Sequence, residues 1–94
     1  MLVRIVRMTF APEQIENFQE LFYESQPKIL DMPGCQKVEL FRDWNQPHIF
    51  ITYSHWDDQE ALDNYRHSEM FEGVWKRTKA MFADKPLAFS MKQE

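Results

Sequence analysis

The order in which strand-like and helix-like patterns follow one another constrains this 94-residue chain more than any single motif does. Apolar residues alternate along residues 1–10, which predicts a strand. Pro12 suits a first helical turn, where its missing N–H is not needed, and apolar residues then recur at helical spacing over residues 15–25. Pro27 is expected to kink or end this helix near Gln26, with a short further turn before the sequence MPG.

Two further strand patterns lie close together in the middle of the chain. Residues 35–44 are expected to place Val38, Leu40 and Trp44 on one face and Phe41 on the other. The sequence RDWNQP is rich in turn-forming Asp, Asn and Pro, and the sequence HIFITYSHW after it alternates as another strand. A β-hairpin is therefore expected here.

A helical region in two segments precedes the last strand pattern. Asp57 and Glu60 match a capping box, which predicts the start of the first segment. Ser68 is placed to cap the second segment, which should end at the sequence ADKP. The sequence LAFSMK then alternates as a final strand.

The resulting order β-α-β-β-α-β is that of the ferredoxin-like arrangement, an α+β fold with an antiparallel sheet and both helical regions on one face. The length indicates a single domain over residues 1–94. The second sheet face would be bare in a monomer, although Val3, Ile5, Phe41 and Phe50 are predicted to lie on it or to share it. Because symmetric pairing of two copies buries such a face, we predict a homodimer whose sheets pack together.

Composition narrows the function classes. The net charge is −4, and no cluster of Lys or Arg suggests nucleic-acid binding. Hydrophobic residues make up 44% of the chain and aromatics 15%, which leaves large side chains for a partner surface or a ligand cavity. The single cysteine fits a reducing compartment. Neither a signal peptide nor an apolar run of about 20 residues is present, so we expect a cytoplasmic protein without membrane contact.

Motifs for metal or covalent chemistry are missing. His48, His55 and His67 are the only histidines, and their spacing matches no metal-binding motif, so no metal site is predicted. Cys35 is surrounded by no nucleophile motif and is interpreted as a small half-buried hydrophobe. With two glycines in the whole chain, a glycine-rich phosphate loop is excluded.

His67 is the candidate for acid–base chemistry. It lies where the first helical segment gives way to the second, and its side chain could point back under the helices toward the sheet. A histidine there could abstract a proton from a phenol or an activated carbon acid. From position alone, a surface histidine at a helix junction is the favoured interpretation.

An excess of aromatic residues suggests a pocket for a flat, apolar ligand. Plain core packing between helices and sheet is the other interpretation, and it suits most of these rings. The candidate substrate-binding residues are Phe22, Trp56, Tyr65, Phe71 and Trp75.

The stretch PGCQKVELFRDWNQPHIFITYSHWDDQEALDNYRHSEMF resembles the central part of the antibiotic biosynthesis monooxygenase family, within the dimeric α+β barrel superfamily. The resemblance implies paired ferredoxin-like subunits, each with a pocket between sheet and helices. It also implies oxidation of quinols or phenols by molecular oxygen without metal or flavin, so no cofactor is expected. In this family chemistry His67 would act as the base, and Arg4 or Arg42 would stabilise an oxyanion.

Three functional alternatives follow from the same resemblance. The leading one is a cofactor-independent monooxygenase acting on a small aromatic or quinol. A non-catalytic ligand-binding or stress-related dimer is the second, since a fold does not dictate function, and an isomerase of small carbonyl metabolites is the third. A haem-degrading branch of the family is disfavoured because the first strand has no asparagine and His67 precedes Trp75 instead of following it.

Overall fold

Residues 1–94 are described by a computed structural model with four strands and three α-helices, and the helices all pack on one side of the sheet. In chain order the elements are β1 Leu2–Thr9, a 3₁₀ turn at Pro12–Gln14, α1 Ile15–Leu30, β2 Cys35–Arg42, β3 Ile49–Trp56, α2 Gln59–Arg66, α3 Glu69–Lys79 and β4 Leu87–Lys92. The sheet is antiparallel throughout, with the order β2-β3-β1-β4. The predicted α+β, ferredoxin-like fold is therefore confirmed. None of the helices combines the length and the hydropathy needed to cross a membrane.

The start of α2 differs by one residue from the predicted capping box. Asp58 is the N-cap, with an extended backbone and a side-chain oxygen that accepts a hydrogen bond from the Ala61 N–H at 2.9 Å. The Asp57 N–H still donates to the Gly34 carbonyl, so the chain remains extended at Asp57. The Asp57 carboxylate instead accepts a bond from Gln36 at 2.6 Å. Ser68 caps α3 as predicted, by accepting a bond from the Phe71 N–H.

Helix α1 runs through Pro27 and ends at Leu30, so an end near Gln26 is wrong, whereas the further turn before MPG is present as part of the same helix. Proline removes one hydrogen bond from a helix interior, here the bond to the carbonyl four residues earlier. That carbonyl belongs to Tyr23, which lies on the exposed side of α1. Ile29 is buried in the core and anchors the last turn, so tertiary packing outweighs the local cost.

The face of the sheet beneath the helices, called the covered face below, forms the core. Met8, Val38, Phe50 and Trp56 lie on it and are buried against α1 and α2. Phe10, just after β1, stacks on Phe18 of α1 with ring centroids 4.0 Å apart. Most of the large apolar residues that were predicted to pack between sheet and helices are therefore in this one cluster.

The opposite face, called the open face below, has nothing packed on it from this chain. The strand register places Val3 and Ile5 there, beside partners from β3 and β4. Val3 and Ile5 are half-buried, and the exposed apolar residues of this face include Phe41 at 52%, Leu87 at 56%, Phe89 at 42% and Met91 at 44%. The prediction of apolar groups on the second face is confirmed for Val3, Ile5 and Phe41. It is wrong for Phe50, which the register turns toward the helices.

Trp44 is a second correction. It was expected to share a face with Val38, but it lies in the β2–β3 turn and is 97% exposed. The Asp43 side chain accepts hydrogen bonds from the N–H groups of Asn45 and Gln46, at 2.9 and 2.8 Å. These bonds close the turn directly after Arg42, so β2 ends before Trp44 can join it.

Candidate functional site

A cavity of about 200 Å³ lies between the covered face and the three helices. Fourteen of its 20 lining residues are hydrophobic, so its interior is mainly apolar. Arg66 at the end of α2 and Ala88 on β4 line it and are exposed, which means that the cavity reaches solvent between these two elements. Drug-sized ligands occupy sites of about 300–1,000 Å³. This smaller cavity therefore suits a ligand of one or two rings.

A continuous series of aromatic rings forms one wall. The Trp56 ring, fully buried, stacks on Tyr65 with centroids 4.8 Å apart, and Tyr65 meets the edge of Phe71 at 4.9 Å. Phe71 then stacks on Trp75 at 5.9 Å. The rings come from β3, α2 and α3, so the wall exists only because these elements pack together. Such a surface matches the flat face of an aromatic ligand.

Two guanidinium groups line the cavity, Arg4 from β1 and Arg66 from α2. Arg4 donates a hydrogen bond to the Ser90 hydroxyl at 3.1 Å. Burial, and then the positive charge of Arg66, lower the pKa of Arg4 below its ordinary value. The one ion pair of the chain joins Lys37 and Glu39, so neither guanidinium has a carboxylate partner.

The remaining polar groups of the wall are hydroxyls. Burial, and then the nearby Cys35, raise the pKa of Tyr65, so its phenol keeps its proton and can donate it in a hydrogen bond. The Ser54 oxygen accepts a bond from the Trp56 indole N–H at 3.0 Å, which leaves the serine hydrogen free to donate. Ser25 and Thr78 donate to carbonyls of their own helices. The cavity is thus lined by hydrogen-bond donors on an apolar background.

The sequence was then compared with family models. The model described as antibiotic biosynthesis monooxygenase matches residues 1–77. The chain belongs to this family. The match runs from β1 into α3 and includes both arginines and the whole aromatic wall of the cavity. The resemblance found in the sequence is therefore confirmed.

Solved structures agree with the family assignment. A crystal structure of an antibiotic biosynthesis monooxygenase is 26% identical, with a TM-score of 0.93 over 100% of this chain and 99% of that one. A conserved protein from Methanosarcina mazei Go1 is 18% identical, with a TM-score of 0.93 over 100% and 94%. A protein from Pseudomonas aeruginosa is 20% identical, with a TM-score of 0.87 over 99% and 93%. The last two show a shared fold alone. A search of curated proteins finds no match.

All five aromatic residues predicted to contact substrate lie on the cavity wall of this family member: Phe22, Trp56, Tyr65, Phe71 and Trp75. Of the two arginines considered for an oxyanion, Arg4 lines the cavity and Arg42 does not. Arg42 donates to the Pro47 carbonyl at 2.6 Å and lies over the outer side of the Phe50 ring. The structure therefore selects Arg4 from the pair.

His67 does not lie where the sequence suggested. It is the C-cap of α2, it is exposed, and it does not line the cavity. The side chain was expected to point back toward the sheet, but Tyr65 and Arg66 occupy the cavity side of this helix end. The catalytic role of His67 stays an untested prediction, now without support from its position. The cavity wall contains no histidine, carboxylate, cysteine or lysine.

Arg66 is the functional residue that the sequence interpretation missed. A signal for it existed, because Leu62 is buried under α2 and residue 66 is one helical turn further on. Two residues four apart share a helix face, so Arg66 was bound to lie near the same cavity. Elsewhere the chain has no group of three His, Cys, Asp or Glu side chains arranged to hold a metal ion.

Proposed function

We propose that this family member is a monooxygenase that oxidises a small aromatic or quinol-type substrate with molecular oxygen and without a cofactor. The observation that supports this most is the cavity, where a continuous aromatic wall faces two unpaired guanidinium groups. The wall fits the ring system of such a substrate, and the five predicted aromatic residues would contact it. The guanidinium groups suit the negative charge that develops on its oxygen.

The proposed reaction needs no further reductant. A substrate that has lost a proton from its hydroxyl group is electron-rich, and it transfers electrons to oxygen directly. One oxygen atom enters the ring and forms a bond to carbon, and the other leaves as water with two hydrogens from the substrate. The substrate is oxidised to a quinone and the oxygen molecule is fully reduced, so atoms and electrons balance.

The protein is also proposed to form a homodimer through the open face. Phe41, Leu87, Phe89 and Met91 are exposed on this face, and the strand register places Ile5 beside Phe89 and Val3 beside Met91, so several apolar residues are neighbours there. A two-fold axis would set this surface against its own copy and bury it. The cavity lies on the other side of the sheet, so each subunit would keep its own site.

Oxygen consumption with a panel of quinols and anthrones tests the enzymatic proposal. We expect uptake with wild type and a large loss in Trp75→Ala, which removes part of the aromatic wall. Trp44→Ala is the matched control, because Trp44 is exposed in the β2–β3 turn and far from the cavity wall. His67→Ala is included to test the base role directly, and from its position we expect turnover to persist.

A non-catalytic ligand-binding dimer is the second candidate. The absence of any histidine or carboxylate from the cavity wall favours it, because most proton-transfer enzymes position such a group. If every quinol and anthrone binds without oxygen uptake, the monooxygenase proposal is rejected and this one replaces it.

A further inference from the structure

The cavity of this protein has an unusual balance of charge. Arg4 on β1 and Arg66 on α2 are positive, Tyr65 on α2 is a neutral donor, and no other ionisable residue lines the wall. The residues that α1, α3, β2, β3 and β4 contribute are all apolar or carry hydroxyls. The interior therefore offers positive charge and N–H or O–H donors, with no group of its own to receive a proton.

We infer that the cavity selects aromatic ligands in their anionic form and binds the anionic oxygen between Arg4 and Arg66. The inference deepens the proposed function, since it takes the aromatic ligand class from it. It adds that ionisation of the ligand does not depend on a base in the protein. The ligand's O–H bond breaks, the electron pair stays on oxygen, and the proton goes to water at the opening beside the exposed Arg66.

The two arginines provide the physical reason. Both are positively charged and line one cavity, and no carboxylate of this chain neutralises either one. The pKa of Arg4 is lowered by burial first and then by the charge of Arg66. An anionic oxygen would satisfy both guanidinium groups with charge-assisted hydrogen bonds, which are stronger than bonds to a neutral oxygen. The mainly apolar lining of the cavity also leaves few other polar groups to compete with the arginines for the anion.

Arg4 is also held in place before a ligand arrives. Its Nη1 donates to the Ser90 hydroxyl on the neighbouring strand β4, at 3.1 Å. Arg4 and Ser90 are paired directly across β1 and β4, so the sheet register fixes the position of this guanidinium. Arg66, at the end of an eight-residue helix, is exposed and freer to adjust. One arginine therefore positions the anion, and the other closes over it from the opening.

Spectrophotometric titration with 4-nitrophenol tests the inference, because phenol and phenolate absorb at different wavelengths. The titration is run without oxygen, so it does not depend on turnover. We expect the pKa of the bound probe to fall by about one unit or more, which is a preference of about tenfold or more for the phenolate. 4-Nitroanisole has the same ring but cannot ionise, and we expect it to bind at least about tenfold more weakly than the phenolate.

Substitution of the arginines assigns the effect to them. Arg66→Gln should weaken phenolate binding about tenfold or more and leave 4-nitroanisole binding almost unchanged. Arg4→Gln should do the same, and circular dichroism would show that its fold is retained. Arg77→Gln is the matched control, since Arg77 is an exposed cation of α3 that does not line the cavity. It should leave both affinities unaltered.

A carboxylate probe tests whether the site prefers a carboxylate or a phenolate oxygen. Tight binding of 4-nitrobenzoate together with the phenolate supports the anion site, and their ratio tells which oxyanion it prefers. An unshifted pKa of bound 4-nitrophenol, equal affinity for 4-nitroanisole, or no binding of either anion would overturn the inference. Anion binding without oxygen uptake would reject the monooxygenase proposal alone, whereas oxygen uptake without anion preference would reject this inference alone.

Discussion

The two faces of the sheet are both apolar, but they have different surroundings. On the covered face, Phe50 and Trp56 are buried beneath helices from the same chain. On the open face, Phe41 and Leu87 are more than half exposed. The helices leave a cavity over one face and nothing over the other. The comparison teaches that one sheet can form a cavity with the helices of its own chain on one face and keep an uncovered apolar surface on the other, which is the surface proposed above to bind a second copy.

Removing a ring from the covered face should have the largest effect. Trp56→Ala deletes a fully buried indole that stacks on Tyr65 and accounts for part of the cavity wall. Truncation of a buried aromatic costs about 3–5 kcal/mol of unfolding free energy. Urea unfolding followed by circular dichroism measures this loss. Trp44→Ala is the matched control and should change stability by less than about 0.5 kcal/mol. Equal effects at both positions would contradict the burial difference.

A charge on the open face should separate the proposed subunits. Phe89→Glu removes apolar area that is 42% exposed in one subunit. Burying a whole phenylalanine side chain contributes about 1.5–3 kcal/mol. About half of this free energy would be gained when Phe89 is buried in the dimer, and a two-fold interface contains two copies of Phe89. The dissociation constant should therefore rise by about 10- to 100-fold. Sedimentation velocity measures the dissociation constant.

Tyr23→Glu provides the control for that experiment. It replaces an exposed aromatic on α1, away from the open face, and should leave the dissociation constant unchanged. If wild type sediments as a monomer at micromolar concentration, the dimer proposal fails, and the open face must be accounted for in another way.

The stability of α2, the helix that contributes Tyr65 and Arg66 to the cavity wall, depends on its N-cap. Asp58→Ala removes the side-chain acceptor for the Ala61 N–H and should cost about 1 kcal/mol. Asp57→Ala removes only an exposed bond to Gln36 and should cost less. Thermal denaturation of the two variants compares them. A larger loss at Asp57 would restore the capping box that the sequence predicted.

The smallest effect concerns alkaline pH. The raised pKa of Tyr65 in the folded protein means that the unfolded chain loses this proton first. The contribution of Tyr65 to stability is therefore complete below the ordinary tyrosine pKa of about 10 and is lost as pH rises above it. At pH about 10, where half of the unfolded chains have lost this proton, the loss should be about 0.4 kcal/mol. Tyr65→Phe should lack this decline, whereas Tyr23→Phe, at an exposed position, should retain it.

Much of the fold could be predicted because periodicity is local. Alternation located all four strands, and the spacing of apolar residues located α1 and both segments of the second helical region. Errors occurred at the ends of elements, where one residue decides the outcome. Asp58 caps α2 in place of Asp57, and Trp44 falls in a turn that Asp43 closes. Helix α1 continues past Pro27 because Ile29 is buried in the core.

The candidate site was less predictable, for a different reason. The five aromatic residues were found because their number exceeds what a small core needs, and the covered face collects them. The sequence did not predict a role for Arg66. It predicted that His67 points toward the sheet, but at this helix end Tyr65 and Arg66 line the cavity instead. Successive helix residues point about 100° apart, so Tyr65 and Arg66 can both line the cavity while the next residue, His67, faces solvent.

The sequence by itself determined the order of elements, the apolar character of both sheet faces and the family. Only the tertiary structure decided that Arg4 and Arg66 line the same cavity without a carboxylate partner, and that no histidine lines it with them. Periodicity specifies which side of its own strand or helix a residue occupies. The distance between side chains of different elements follows from how those elements pack, and that depends on the whole core at once.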